Sequence, residues 1–410
     1  MRRLKKTLWT KNFTLVTAAS ALGAVGGIAG GFALSFLVFD ETGSTLASAL
    51  ILAIQLVPFF VLPLFLAPVM DRLPRKPFLV AGDLIDGVLY ALMGLYLLKF
   101  EFSYAAYLGY SLLLACLESF DELAFQSIYP KLIPEGMEQQ GYAVSTTLYP
   151  ILRVLMLPLA GILLDAVGAA WILIGQGGLS LLAALIESNI DITEHRREGG
   201  EKLFTLRQWR ADIKEAAEYL KNERGVTGIF SYMAVTNGVA SGYSSILVAF
   251  FRTFPGFTAA MYSLFSVFEF AGRTLGGAVQ YKLRLAKEKK FGFTFMAYQI
   301  YELMDMCLLW LPYPLMLANR ALVGFLGANS ATMRQAAMQT YIPEELRARL
   351  NAFQNMLITA ASGVFTLAIG ALGEVLDYRL CVTICGATAF IAAWLLVWRR
   401  RADVRKIFEK

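Results

Sequence analysis

The chain has 410 residues, 57% of them hydrophobic and only 17% charged, where an ordinary soluble domain carries about 25% charge. With a mean hydropathy of +0.56, this composition excludes a cytosolic enzyme, a disordered chain and a secreted disulfide scaffold. The net charge of +6 would point a soluble protein toward nucleic acid, but here topology accounts for it.

Apolar residues fall in blocks long enough to cross a bilayer, which takes about 20 residues as a helix. Twelve segments follow in chain order: 12–39, 45–69, 78–98, 104–127, 139–165, 169–188, 226–251, 257–281, 291–311, 314–338, 348–375 and 379–398. Runs this continuous are helices rather than the short alternating strands of a barrel. The MRRLKK flank before the first reads as an inside anchor, not a cleaved leader. In that first span Gly23, Gly26, Gly27, Gly30 and Gly31 give overlapping GxxxG spacings suited to close helix packing.

The loop after the second span reads Ala67-Pro-Val-Met-Asp71-Arg72-Leu-Pro74-Arg75-Lys76. One anion and three cations there sit beside helix ends that carry partial charge. Such a cluster can lock helices in one state and release them in another, or serve only to hold the loop inside.

Ionisable groups inside spans are costly and are default functional candidates. The third span carries Asp83 and Asp86, the fourth Glu118, Asp121 and Glu122. Their i, i+3 and i, i+4 spacings put each set on one helical face. Carboxylates clustered in low dielectric cannot all stay ionised, so at least one holds or shares a proton, as proton coupling requires. Pairing of Asp121 and Glu122 with Arg72 or Arg75 is the competing reading.

The fifth span contains Arg153, a candidate counter-charge to the acidic face, then Pro158 and Gly161. Residues 189–225 form the one sizeable loop. Phe204, Trp209, Ile213, Ala216, Ala217 and Leu220 recur in it at helical spacing, which fits an amphipathic helix on the inner membrane face or a solvated linker helix. Its His195 is the only histidine, so no HExxH zinc site exists. In the second half Glu269 and Arg273 sit i, i+4 and neutralise each other. Glu302 and Asp305 lie on the ninth span, Arg320 and Arg334 on the tenth, and the deeper Arg320 is a cavity candidate. Cys116, Cys307, Cys381 and Cys385 lie in apolar stretches without CxxC spacing and read as small buried hydrophobes. The tail from Arg399 to Lys410 is a basic surface segment.

With both termini inside, thirty Lys and Arg fall on the inner side and only Lys99, Arg252 and Arg379 on the other. This is the positive-inside pattern, and it is where the net charge comes from. A shift of 209 residues aligns QSIYPKLIPEGMEQQGYA at Gln126 with QAAMQTYIPEELRARLNA at Gln335, and places Gly161 on Gly370 and Asp165 on Glu374. The chain is thus read as two halves, 1–188 and 226–410, joined by 189–225. Such duplication is the architecture of a secondary transporter that rocks one bundle against the other.

At the motif loop the sequence resembles the major facilitator superfamily, whose signature is Gly-x-x-x-Asp-Arg-x-Gly-Arg-Arg/Lys. Asp71, Arg72, Arg75 and Lys76 match, while Ala67 and Pro74 replace the glycines. The 209 shift finds a degenerate copy at Gly276-Gly-Ala-Val-Gln280-Tyr-Lys-Leu-Arg284. Arg153-Val-Leu-Met-Leu157-Pro158-Leu-Ala160-Gly161 is similar to the Arg-x-x-x-Gly-Pro-x-x-Gly pattern of the drug and macrolide efflux branches, with Leu157 in place of the glycine. The resemblance implies an all-α membrane protein of twelve transmembrane helices in two pseudo-symmetric six-helix bundles, multi-pass in the cell (plasma or inner) membrane. It also implies an inside gate built on the motif loop, and a fourth span that borders the cavity while the third is peripheral, which favours Glu118, Asp121 and Glu122 over Asp83 and Asp86.

The reading is a proton-coupled exporter of amphipathic, cationic small molecules. It needs no cofactor, metal or nucleic acid, and it works as a monomer among membrane lipid. An importer or lipid flippase of the same fold, and a non-transporting sensor or scaffold, remain as alternatives. There is no P-loop and no evident nucleophile constellation for an enzyme.

Overall fold

The computed structural model describes residues 7–70, 74–192, 214–215, 218–282 and 285–409. Every regular element among them is helical. The first six helices are α1 (Lys11–Thr42), α2 (Thr45–Met70), α3 (Lys76–Lys99), α4 (Tyr104–Leu132), α5 (Glu138–Val167) and α6 (Ala169–Ser188). After the loop come α7 (Arg224–Thr253), α8 (Ala259–Lys282), α9 (Lys287–Cys307), α10 (Tyr313–Tyr341), α11 (Glu344–Gly373), α12 (Tyr378–Ala392) and the short α13 (Arg401–Glu409). A 3-10 turn, Leu308–Trp310, closes α9, and a π-helical stretch, Ala393–Trp398, extends α12.

The helices fall on the apolar segments of the sequence, and several outrun them by a turn at polar ends where water can satisfy the backbone. By length and composition seven helices among the described residues can cross a membrane. The protein is a multi-pass membrane protein.

The chain divides into two compact units. The first holds α1, the part of α2 from Ile54, α3–α6 and the segment Thr258–Ser263. The second holds Gly43–Ala53, α7, the rest of α8 and α9–α13. Helix ends are therefore exchanged between the repeats: the first turns of α2 belong with the second half, and the first turn of α8 with the first half.

Inside the first unit α3 and α6 approach closely because glycines face each other. A Cβ on Gly177 would lie 2.6 Å from Gly87 O, and one on Gly94 would lie 2.6 Å from Ala170 O. Only Gly26 and Gly30 of the α1 glycines play the packing role expected of all five. A Cβ on Gly26 would run into Gln176, and one on Gly30 would meet Gln176 and Tyr90, while Gly23, Gly27 and Gly31 face open space.

In the second unit a core of Val226, Phe230, Phe291, Phe295 and Val397 receives α13 through Val404, Ile407 and Phe408. The tail is thus a docked amphipathic helix rather than a plain basic surface segment. Its polar face keeps the charge: Arg405 lies over the Phe291 ring and Arg401 over Trp398. Leu220 is buried in the same core, while Phe204, Trp209, Ile213, Ala216, Ala217 and His195 lie outside the described residues.

Candidate functional site: an acidic cavity in the first unit

Within the first unit, α1, α3, α4, α5 and α6 enclose a cavity of about 440 Å³. Its wall carries Asp83 from α3, Asp121 and Glu122 from α4, and Glu187 from α6. Thr17, Ser20, Ser145, Tyr129 and Tyr149 supply hydroxyls, and Phe125, Leu148 and Val144 supply apolar surface. No Lys or Arg is among the described lining residues. The volume suits a small organic molecule.

Each carboxylate arrives by helical spacing. Asp121 sits where α4 crosses α3 at Gly82, and a Cβ there would stand 3.1 Å from Asp121 Oδ1. Without a side chain at position 82 the aspartate can turn toward the cavity. Glu187 ends a buried stripe on α6 made of Leu173, Gln176, Ser180, Ala183 and Ala184, an i, i+3, i+4 series. It is only 3% exposed, and its Oε2 has no hydrogen-bond partner. Asp121 Oδ1 is likewise buried without a partner. Buried carboxylate oxygens without a partner attract a proton or a cation.

The arrangement reorders the expected candidates. The third span was expected to be peripheral, yet Asp83 lines the cavity while Glu118 does not. Glu118 is exposed, one turn from Asp121. Asp86 lies deeper in the helix contact and accepts from Ser180 Oγ at 3.1 Å. Glu122 accepts from Gln126 on its own helix. Arg153, the expected counter-charge, is exposed and forms no ion pair among the described residues.

Glu187 was missed in the sequence because it is the next-to-last residue of its span and reads as a boundary charge. The signal was the polar and small stripe of Gln176, Ser180 and Ala184, which runs straight into it.

Of the motif loop, Asp71 and Arg72 lie outside the described residues, as does Arg284 of the degenerate copy. Lys76 Nζ donates to Ser188 O at 2.8 Å, placing its charge at the C-terminal end of α6 where the helix dipole favours a cation. Arg75 is half-buried beside it in sequence. Gln280 is half-buried with its Oε1 unpartnered. On the same face, Lys11 Nζ donates to Asp191 Oδ2 at 2.6 Å, joining the start of α1 to the segment after α6. This bond holds the Asp191 carboxyl below its ordinary range.

Pro158 sits inside α5. Gly161, one turn on, lets the backbone of Ala259 and Ala260 in the same unit approach: a Cβ there would lie 2.7 Å from Ala260 Cα. Here the glycine acts in packing.

In the second unit two pairs of intramembrane charges neutralise each other, and two further charges are held by tyrosine hydroxyls. Arg273 donates to Glu269 through Nε at 3.0 Å and Nη2 at 2.7 Å. Arg320, expected as a cavity residue, is buried and bonded to Asp305 and to Asn319 Oδ1. It lines no cavity among those described. Glu302 accepts from Tyr232 OH at 3.3 Å, and Arg334 donates to Tyr298 OH at 3.1 Å. Cys381 and Cys385 are buried, but Cys307 is exposed, against the expectation for it. No cluster among the described residues could hold a metal ion.

A long apolar bundle with a buried acidic chamber calls for comparison with transport proteins. Residues 13–299 and 300–409 match the Major Facilitator Superfamily. The chain belongs to that superfamily. It is a transporter rather than an enzyme. No curated protein sequence matches it at a significant level. Among solved structures it is similar to a bacterial homologue of the human lysosomal transporter Spinster in an inward-facing, unoccupied conformation. That likeness has a TM-score of 0.64 at 14% identity and covers 97% of this chain and 94% of the other. A POT peptide transporter in complex with alafosfalin gives a TM-score of 0.72 at 11% identity, covering 99% and 98%. The nucleoside transporter NupG gives 0.69 at 11% identity, covering 95% and 99%. At such identities the likeness speaks to the fold of this facilitator chain and not to its cargo.

Proposed function

We propose that this facilitator protein is a proton-coupled exporter of amphipathic, cationic small molecules. The carrying observation is the chamber lined by Asp83, Asp121, Glu122 and Glu187 with no basic side chain among its described lining residues. Such a wall favours a cation electrostatically. Phe125, Tyr129 and Tyr149 beside it suit an aromatic or aliphatic body. A proton and a cationic cargo compete for the same oxygens, so loading one expels the other, which is the exchange an antiporter needs.

In this reading twelve spans form halves 1–188 and 226–410 around the 189–225 linker, with both termini cytoplasmic and the protein monomeric in the cell membrane. The cluster Asp71, Arg72, Arg75 and Lys76, with Gln280 and Arg284 in the second half, gates the inner face. Glu118 and Asp86 extend the proton path beyond the chamber. The similarity of the Pro158–Gly161 stretch to efflux proteins supports the outward direction.

The test is equilibrium binding of a lipophilic cation, tetraphenylphosphonium, to the purified protein across pH. Affinity is expected to fall as pH falls, because protons displace the cation. Asp121→Asn and Glu187→Gln should each weaken binding about tenfold, the scale of one lost charge contact in a partly dry site. Affinity that ignores both substitutions contradicts the assignment of this chamber.

A further inference from the structure

The repeat alignment sets Asp165 on Glu374 and Gly161 on Gly370, and neither carboxylate belongs to the acidic chamber. The structure gives each of them a helix start to hold. Glu374, just past α11, receives Leu46 N at 2.8 Å, Ser44 Oγ at 2.7 Å and Thr45 Oγ1 at 3.2 Å, all on Oε1. It therefore closes the N-terminus of α2 with a carboxylate that α2 does not itself supply. Asp165 on α5 receives Ala260 N at 3.4 Å, at the N-terminus of α8.

The glycines explain how the chains come so close. A Cβ on Gly370 would lie 3.1 Å from Thr45 O, and Thr45 Oγ1 donates back to Gly370 O at 2.8 Å. A Cβ on Gly373 would stand 2.6 Å from Thr45 Oγ1. Gly161 serves the same purpose opposite Ala259 and Ala260. Each duplicated element thus carries a small residue for approach and, four residues on, an acid for the helix end. In each case the element that supplies the acid and the helix start that receives it come from opposite repeats.

A carboxylate at a helix N-terminus meets unsatisfied amides and the positive end of the dipole. These bonds join groups 328 and 95 residues apart in sequence, so they fasten separate helices together. If the protein transports by rocking its halves, as the proposed function has it, the first turns of α2 and α8 must leave these partners once per cycle.

We propose that Glu374 and Asp165 are paired positioning residues of the transport cycle, each latching the start of one long helix on the membrane face opposite the chain termini. Glu374 holds its helix start through the Leu46 amide and the Ser44 hydroxyl, with the one Thr45 hydroxyl proton shared between Glu374 and Gly370 O. The strength of the two latches sets how often that face opens and hence the turnover rate, with little effect on substrate affinity, because neither touches the chamber.

The experiment is cysteine accessibility in intact cells. Ala49 is fully buried, and a Cβ on Gly370 would press on it. Ala49→Cys in a background with the four native cysteines replaced by serine therefore reports on the α2 start. A membrane-impermeant maleimide is applied outside and the labelling rate followed. Glu374→Ala should raise the rate about fivefold, the effect of losing one N-cap. Glu374→Gln, which keeps an acceptor, should restore most of the wild-type rate. Thr45→Val keeps the shape but removes the hydroxyl, and should raise labelling by a smaller factor. It serves as the second variant should Glu374→Ala fail to reach the membrane.

Unchanged labelling in both Glu374→Ala and Thr45→Val would overturn the latch, and so would an equal rise in Glu374→Ala and Glu374→Gln. The readout needs no substrate and no proton gradient. A labelling response with no proton flux would therefore sink the coupling mechanism and leave the latch standing. A flux response with flat labelling would do the reverse.

Discussion

Arg320 shows what spacing alone leaves open. A lone arginine in an apolar span reads as a cavity residue, because charge in lipid is costly. In the folded chain its side chain is 3% exposed and bonded to Asp305, fifteen residues earlier on α9. Asp305 had been read only as a neighbour of Glu302. Which acid faces which base depends on how α9 and α10 cross, and no local pattern encodes that. Removing one member of a buried pair strands the other, at about 3–5 kcal/mol. Arg320→Met should therefore lower the melting temperature of the detergent-solubilised protein sharply, and Arg320→Met with Asp305→Leu should recover most of the loss. Equal losses in both would show that the pair carries no coupling.

Glu374 adds a pH dependence at the same scale. Partial burial acts to raise its pKa, but the Leu46 amide and the hydroxyls of Ser44 and Thr45 outweigh that and hold it below its ordinary value of 4.5. A lowered carboxylate contributes its stabilisation above the ordinary range and loses it as pH falls through the lowered value. Labelling of Ala49→Cys, taken relative to a freely exposed cysteine at the same pH because only the thiolate reacts, should thus stay flat from neutral to mildly acidic pH and rise only below the usual carboxylate range. A rise already near pH 6 would contradict this assignment.

Among the elements, the long helices were legible in place and order, with ends that differ in places by about a turn or more. Their apolar length is set by the bilayer, and their ends by turn residues such as Gly43, Gly136, Gly168 and Gly256, all at positive φ. Interfaces were not legible in the same way. Five glycines on α1 promised one packing face, but the tightest crossing in the first unit is α3 on α6, through Gly87, Gly94 and Gly177. Small residues permit close approach without saying what approaches.

That crossing carries a direct prediction. Gly177→Leu would force a side chain against Gly87 O and Ala91 N, 2.6 and 2.7 Å from its Cβ. It should cost about 1–3 kcal/mol as overpacking. Gly178→Leu, with nothing within 4 Å, should leave the melting temperature nearly unchanged. α13 was misread for a different reason: its six cations over Arg399–Lys410 drew attention from Val404, Ile407 and Phe408 at i, i+3, i+4, the stripe that docks it.

For the molecule as a whole, duplication was the most informative feature of the sequence. It pointed to the facilitator fold, and it set Asp165 on Glu374 before either had a partner. The chamber was only half visible. Asp121 and Glu122 stood out as intramembrane acids, but Asp83 was discounted as peripheral and Glu187, at the end of its span, was not singled out. Their convergence depends on α3, α4 and α6 meeting at the same depth, which Gly82 and the α3–α6 glycines permit.

The central claim is that this chamber exchanges protons for a cation. Its most direct test is proton flux in proteoliposomes with an imposed pH gradient and an internal pH-sensitive dye. Tetraphenylphosphonium is added to the wild-type protein, Asp121→Asn, Glu187→Gln and Arg153→Gln. Cation-dependent proton movement should be present in wild type, persist in Arg153→Gln, and fall at least tenfold in the two chamber variants. Proton movement that survives in Asp121→Asn and Glu187→Gln alike, or that wild type never shows with any cation, would contradict the account.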